Sequence, residues 1–305
     1  MSKVGAFQHD PVPIGEIAEP PFVRLPDAAV LFQSRAERFR ELSAQHELAP
    51  FLLLLSDISF CQHQLQDGLP EVDLPTDDDR ERARVHGMPP LDRSRFTADA
   101  AFDATLDRLL QSTSAIEMPD TAKSALVRVI KANAGARVTM ARAVLANEIP
   151  VEEFADHVFV AAALQVHFAR LASKLNAKKL VPVGDGVCPS CGGAPVASMV
   201  VGWRGAHGAR YCMCSLCATQ RHYVRIKCTL CSSTKGISYR EIEGGDGTVL
   251  AETCESCRGY VKILHQHKNP GLDPVADDVA SLSLDLLLRD DDYWRGGLNF
   301  FLLGY

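Results

Sequence analysis

Cys188-Pro189-Ser190-Cys191 and Cys214-Ser215-Leu216-Cys217 are followed by Cys228-Thr229-Leu230-Cys231 and Cys254-Glu255-Ser256-Cys257, every cysteine displaced by 40 residues. Each half therefore reads C-x2-C-x22-C-x2-C. Two such registers in one chain mark an internal duplication of a four-thiolate module. A CxxC turn brings two sulfurs to one point, and two turns complete a tetrahedral S4 cage. Gly192 and Gly193 after Cys191 suit the tight, partly left-handed turn behind such a knuckle, whereas Ser232 and Ser233 stand in the second copy.

The chain has 305 residues, 47% hydrophobic and 23% charged, enough for one large or two ordinary folded domains. Its net charge of −6 argues against a nucleic-acid-binding surface over the whole protein. The charge is uneven. Cys188 to His267 holds nine Lys or Arg against five Asp or Glu, a surplus of four, so the remainder carries −10. Eight of the ten cysteines in CxxC pairs suit metal ligation better than a secreted disulfide framework. The longest apolar run, Phe51 to Leu55, is too short for a membrane span or signal core. The expected location is the cytoplasm.

Outward from the cysteines, the fold class is α+β. An all-helical domain (1–183) with an extended, proline-rich arm precedes two ribbons of the rubredoxin or zinc-ribbon kind (184–226 and 227–268). A short helical tail (269–305) closes the chain. The arm, residues 1 to 26, carries five prolines. Asp27 caps a first helix through Leu31, Phe32, Phe39 and Leu42, and Pro50 opens a second ending near Gly68. Residues 70–95 read as a solvated loop, with Asp77 to Asp79 followed by Arg80, Arg82 and Arg84. A helix starts at Thr97 or Asp99. Pro119 begins a long one reaching Leu145 with an irregularity at Gly135, and Pro150 separates it from a helix over 151–175. That makes about five substantial helices. Short strands are expected at Pro195 to Val201, Arg221 to Lys227, Ile237 to Glu243, Thr248 to Leu250 and Tyr260 to Leu264, with Gly244 to Gly247 as a hairpin turn. The tail after Pro274 returns to helix with Val279, Leu282, Leu286 and Leu287 as its apolar residues, and Phe300 to Leu303 packs back on the body.

The duplication groups Cys188, Cys191, Cys214 and Cys217 around one ion and Cys228, Cys231, Cys254 and Cys257 around another, with a crossed arrangement as the alternative. Four thiolates hold zinc as readily as a single rubredoxin-type iron. A closed S4 cage has no open position for substrate, which disfavours Lewis-acid hydrolysis. Cys212 has Glu252 at its repeat position and reads as a small buried residue, with a spare thiol or substitute ligand as alternatives; Cys61 reads as core. Glu152, Glu153, Asp156, His157 and His167 lack the repeated Glu-x-x-His of a di-iron bundle and read as a solvated helix face. No phosphate loop, dinucleotide fingerprint or nucleophile elbow is present, so no catalytic constellation stands out.

Three stretches resemble one family, the FdhE-type formate dehydrogenase accessory proteins. They are Cys188-Pro189-Ser190-Cys191-Gly192-Gly193, Arg210-Tyr211 leading into Cys214 to Cys217, and His222-Tyr223-Val224-Arg225-Ile226-Lys227-Cys228; Asp278 to Gly297 extends the likeness. The resemblance covers nearly the whole chain. It implies a cytoplasmic, non-enzymatic protein needed for maturation of respiratory formate dehydrogenases. It further implies binding of the catalytic subunit and four-thiolate sites linked to rubredoxin-like iron, which moves the metal preference from zinc to iron. The expected partner face is the basic ribbon, with Arg221, Arg225, Lys227 and His222. The alternatives are a nucleic-acid-binding zinc ribbon using Trp203, Tyr211, Tyr223 and Tyr260, or a small electron-transfer protein.

Overall fold

The computed structural model describes residues 19–304, so most of the expected proline-rich arm lies outside the described residues. The front of the chain is helical. Asp27 accepts from the Ala29 amide at 3.1 Å and starts α1 (Ala28–Ser43), which packs against α2 (Ala49–Gln64) with Pro50 in its first turn. Asp99, and not Thr97, caps α4 (Ala100–Thr113), accepting from Phe102 N at 2.7 Å. At the centre lies α7 (Phe154–Ser173), where every residue from Phe159 to Ala169 is buried. A helix buried on all sides needs neighbours on all sides, and α4, α5 (Asp120–Lys131) and α6 (Ala134–Ala146) supply them. The small side chains Ala161, Ala162 and Ala163 are fully buried within that packing.

Two readings of this region are corrected. Residues 77–85 form a helix, α3 (Asp77–Val85), instead of a loop; none of its residues is buried. It lacks an apolar stripe and is held by local electrostatics. Thr76 caps the Asp79 amide at 3.2 Å while its hydroxyl donates to the Asp79 carboxylate at 2.7 Å, and three aspartates occupy the positive first turn. Arg80, Arg82 and Arg84 each pair with an acid three residues earlier. The long helix after Pro119 is two helices. Ala132 is extended at ψ 136°, and the Asn133 side chain takes the Ala136 amide at 2.9 Å, so the break sits before Gly135. Counting α3, seven α-helices precede the repeat cysteines among the described residues.

The two cysteine modules form one continuous sheet. The strands are β1 (Val23–Arg24), β2 (Pro195–Val200), β3 (Arg210–Cys214), β4 (Gln220–Tyr223), β5 (Ile237–Arg240), β6 (Val249–Cys254), β7 (Gly259–Leu264) and β8 (Trp294–Arg295). Their order is β1-β4-β3-β2-β7-β6-β5, with β8 also on β7. Each module is an antiparallel three-stranded unit, β2-β3-β4 and then β5-β6-β7. The first strand of one module lies parallel to the last strand of the other, with Ser198 opposite Ile263 and Met199 opposite Leu264. The end of the arm adds β1 to the outer side of β4, fixed by His222 N donating to Phe22 O at 2.8 Å and Tyr211 Oη to Pro21 O at 2.8 Å. The strand expected to run from Arg221 to Lys227 stops at Tyr223, whose hydroxyl donates to Cys228 O at 3.0 Å. Val224 and Ile226 beyond it are 59% and 63% exposed.

The tail is two short helices, α8 (Ala276–Ala280) and α9 (Leu282–Asp290), instead of one. Of the apolar residues expected on the tail helix, Val279 and Leu282 are buried together with Leu284 and Leu288, while Leu286 and Leu287 are exposed. Buried charge sets that pattern. Lys262 on β7 contacts Asp285 at 2.5 Å and Asp278 at 3.2 Å, and Arg295 on β8 bridges the same two carboxylates. Asn299 Nδ2 donates to Asp278 at 2.8 Å and Tyr260 Oη to Asp285 at 2.6 Å. Burial pushes the Asp278 carboxyl up, but Lys262 and Arg295 outweigh it and hold it below its ordinary value. Phe300, Phe301 and Leu302 are buried as expected, Phe301 meeting Phe39 edge-on at 6.1 Å. Replacing Asp278 by Ala leaves two buried cations to share one carboxylate. Urea unfolding should show a loss of about 3–5 kcal/mol, and a loss under about 1 kcal/mol would contradict a tail locked by this network.

Candidate metal centres

The eight repeat cysteines gather in two clusters, Cys188, Cys191, Cys214 and Cys217, and Cys228, Cys231, Cys254 and Cys257, each with its sulfurs within 4.8 Å of one another. The crossed grouping does not occur. In the first cluster Cys188–Cys217 and Cys191–Cys214 are 3.5 Å apart; in the second Cys228–Cys257 is 3.8 Å and Cys231–Cys254 3.7 Å. Four sulfurs at ~2.3 Å from a tetrahedral ion stand about 3.8 Å from one another, so both cages have the dimensions such an ion needs. They are the only groups of three or more potential metal ligands so arranged among the described residues.

All four CxxC turns share one backbone device. The residue after each second cysteine is left-handed: Gly192 at φ 75°, Ala218 at 57°, Ser232 at 64° and Arg258 at 54°. This conformation turns the chain back on the knuckle, letting Gly192 N reach Cys188 O at 2.8 Å, Ala218 N reach Cys214 O at 3.2 Å and Ser232 N reach Cys228 O at 3.1 Å. Amides inside the turns donate to sulfur: Ser190 N to Cys188, Leu216 N to Cys214 and Leu230 N to Cys228, all at 3.4 Å. Only one of the four left-handed residues is glycine; at the other three the turn overrides a steric cost of roughly 1–2 kcal/mol.

The surroundings of the cages differ. The first is fully enclosed, all four cysteines being buried. The chain after α3 crosses its first knuckle, with Leu91 N donating to Ser190 O at 2.9 Å and Arg93 N to Cys191 O at 3.1 Å. From α7, Gln165 donates to Ser215 O at 2.8 Å on the second knuckle and is itself held by Gln62. A Cβ at Gly193 would stand 2.9 Å from Cys214 Sγ, so this backbone must pass the cage without a side chain. The second cage lies at the surface, with Cys231 exposed and Cys257 half-buried. The tail covers one side of it, through Trp294 Nε1 on Cys257 O at 2.8 Å and Trp294 N on Arg258 O at 2.9 Å. Ser233, the counterpart of Gly193, has room for its side chain there and donates to Lys235 O at 3.1 Å.

The thiols are polarised against one another. In the first cage burial pushes Cys188 up, but hydrogen bonds from Cys191, Cys214 and Cys217 prevail and hold it well below the ordinary thiol value. Burial and the charge on Cys188 hold Cys191 and Cys217 well above it. In the second cage burial pushes Cys257 up to about 12; at Cys254 burial also acts upward, but the Cys257 and Ser256 amides with the Cys231 and Cys228 thiols together bring it down to about 7.

The other candidate residues fall elsewhere. Cys212 is buried on β3, its sulfur 3.5 Å from Ser198 Oγ, and belongs to neither cage. Its repeat counterpart Glu252 has become an ion-pair partner, 2.8 Å from Arg210 and also reached by Tyr239 Oη at 3.2 Å. That buried pair ties the first module to the second, and the uniqueness of Cys212 and Glu252 in the repeat was its only signal. Cys61 is core, its thiol pushed up to about 11 by burial. The expected solvated face holds for Glu152 and Glu153 alone, in the short turn before α7. Asp156 is buried against Arg128 at 2.5 Å, His157 binds the Glu153 carbonyl at 2.8 Å, and His167 sits among Phe96, Phe102 and Phe168, driven down to about 4 by burial. The basic face is smaller than expected. Arg221 is buried against Tyr223, and Lys227 is held by Asp185 at 2.8 Å, leaving Arg225 exposed and His222 half-buried. Gln165 passed unnoticed in sequence, although a glutamine inside an apolar helix run is a usable sign of a buried partner.

Family models cover this architecture end to end. "FdhE, N-terminal" matches residues 20–185, "FdhE, central domain" residues 187–225 and "FdhE, C-terminal domain" residues 226–302. The chain belongs to the FdhE family. An FdhE homolog of Rhizobium meliloti is 47% identical over 304 residues, 99% of each chain, and one of Pseudomonas aeruginosa is 36% identical over 93% of each. The FdhE of Escherichia coli is 34% identical over 89% of this chain and 88% of its own. The crystal structure of the FdhE protein from Pseudomonas aeruginosa superposes with a TM-score of 0.83 at 33% identity, covering 93% of this chain and 99% of that one. The FdhE central and C-terminal matches meet between Arg225 and Ile226, in the exposed linker between the modules.

Two substitutions separate the turn from the cage. Ala218→Gly relieves the left-handed strain and should raise the unfolding midpoint by the equivalent of about 1 kcal/mol. Gly193→Ala should do the opposite and loosen the first cage, read as faster alkylation of Cys214. Equal behaviour of the two variants would contradict the geometry described.

Proposed function

We propose that this protein is a non-enzymatic accessory factor that binds the catalytic subunit of a respiratory formate dehydrogenase in the cytoplasm and assists its maturation. Full-length membership of the FdhE family carries this reading, together with the resemblance of its cysteine and linker motifs to formate dehydrogenase accessory proteins. In this reading all eight repeat cysteines are ligands. Cys188, Cys191, Cys214 and Cys217 hold one ion, and Cys228, Cys231, Cys254 and Cys257 hold a second. Iron in the rubredoxin state is favoured over zinc by the family resemblance; bound, it supplies a one-electron couple, whereas zinc supplies rigidity alone. Either ion is coordinatively saturated by four thiolates, so the protein's own residues do the binding and no hydrolytic step is assigned to them.

Among the described residues, no helix is long and apolar enough to cross a membrane. The client meets the linker between the modules, where Val224, Arg225 and Ile226 stand exposed beside the half-buried His222. An apolar pair flanking one cation suits a partner surface with apolar centres and an acidic rim. The test is co-purification of the tagged chain with the formate dehydrogenase catalytic subunit. The wild-type chain is expected to retain the subunit, Val224→Asp/Ile226→Asp to lose most of it with both cages intact, and Cys188→Ser/Cys191→Ser to lose it through collapse of the first cage. Full binding and full dehydrogenase maturation with all these variants would overturn the proposal.

A further inference from the structure

The duplicated modules have equal ligand sets and unequal access, and the difference is built by residues outside the cages. Around the first, backbone amides of Leu91 and Arg93 and the side chain of Gln165 hold the knuckle carbonyls of Ser190, Cys191 and Ser215, and all four sulfurs are buried. Around the second no helix contributes a comparable clamp among the described residues. Trp294 holds the Cys257 and Arg258 carbonyls and Tyr223 the Cys228 carbonyl, while Cys231 faces solvent. A ligand exchanges on a saturated tetrahedral site by an incoming donor reaching one ligand sulfur's position while that sulfur swings away. Such a swing needs an accessible sulfur on a turn free to move. Cys231 offers the accessible sulfur; the left-handed Ser232 behind it carries strain that opening relieves, and the swing breaks the bond from Ser232 Oγ to the exposed Asp185 at 2.7 Å.

We infer that the second cage is a ligand-exchange site for thiols, with Cys231 as the leaving ligand, and that the first cage is a permanent structural site. The inference rests on the reading of both clusters as metal sites. In the exchange an incoming thiol R–SH gives its sulfur to the ion as R–S⁻, the ion's bond to Cys231 breaks, and Cys231 leaves as the thiol carrying the displaced proton. Charge is conserved and no electron moves. The partner class is a thiol, either a small one or a cysteine of another protein; the second cage would then pass its ion to, or accept it from, such a sulfur ligand.

The two tryptophans make this testable on the full chain. Trp294 touches the second cage through Cys257 O. Trp203 lies in the loop after β2, beyond the strand end opposite the knuckles, with Arg24 4.4 Å above its ring. In a Trp203→Phe background, zinc-loaded protein is treated with glutathione and the chromophoric chelator 4-(2-pyridylazo)resorcinol. Of two bound equivalents, one is expected to leave at least about tenfold faster than the other, its departure coinciding with a change in Trp294 fluorescence. Cys231→Ser should abolish the fast equivalent and keep the slow one. Release of both equivalents in one phase, a fast phase silent in Trp294 fluorescence, or an unchanged fast phase in Cys231→Ser each overturns the inference. Alkylation mapped by mass spectrometry decides it independently of loading: Cys231 and Cys257 should react with iodoacetamide before the four cysteines of the first cage, and equal rates overturn it. A chain that holds fewer than two equivalents while keeping that alkylation order refutes the two-metal reading and leaves the asymmetry of access standing.

Discussion

Four thiols kept within 4.8 Å of one another in a protein interior are an unfavourable arrangement unless a cation replaces their protons, and the rest of the sheet is built around two such arrangements. Each knuckle fixes where a strand begins or ends. Cys188–Cys191 precedes β2, Cys214 terminates β3, Cys228–Cys231 precedes β5 and Cys254 terminates β6. The strands are short, four to six residues within the modules, and a three-stranded unit of that size buries too little to stand alone. The cages act where core volume is lacking, and the parallel contact of β2 with β7 joins both units into a single sheet that the helices and tail then cover.

Duplication supplied the plan, and divergence supplied the joints. Arg210 and Glu252 form a buried pair at positions whose repeat counterparts, Leu250 and Cys212, cannot pair, so the link between modules arose after the copy. Gly193 against Ser233, and Gln165 against nothing equivalent, give the first cage its seal. On the other flank Lys262, Arg295, Asp278 and Asp285 fasten the tail to β7. Removing one member of either network leaves an unpaired charge in the interior, so these contacts specify the arrangement even where their net energy is small.

The cysteine spacing made the cages and their grouping legible, because metal ligation demands sulfurs at fixed offsets and little else does. Helices with an apolar stripe and a capping residue, such as α1 behind Asp27 and α4 behind Asp99, were equally readable. Features resting on polar atoms were not. The helix α3 has no hydrophobic period and stands on a cap and three ion pairs, so its sequence imitates a loop. Asn133 breaks α5 from α6 with one side-chain hydrogen bond, and the two-residue β1 exists only because β4 offers an edge. The tail's register follows buried carboxylates whose partners lie on β7 and β8, information that no local window contains. Burial of Asp156, His157 and His167 likewise depends on α7 being surrounded, which its own sequence hints at only through its alanines.

Whether the duplicated knuckles hold two metal ions decides how the single sheet is stabilised. The most direct measurement is elemental analysis, with a visible spectrum, of the chain purified without air. Two equivalents of iron or zinc per chain are expected, with sulfur-to-iron charge-transfer bands where iron is present. A folded chain carrying no metal, with all eight repeat cysteines titrating as free thiols, would contradict it.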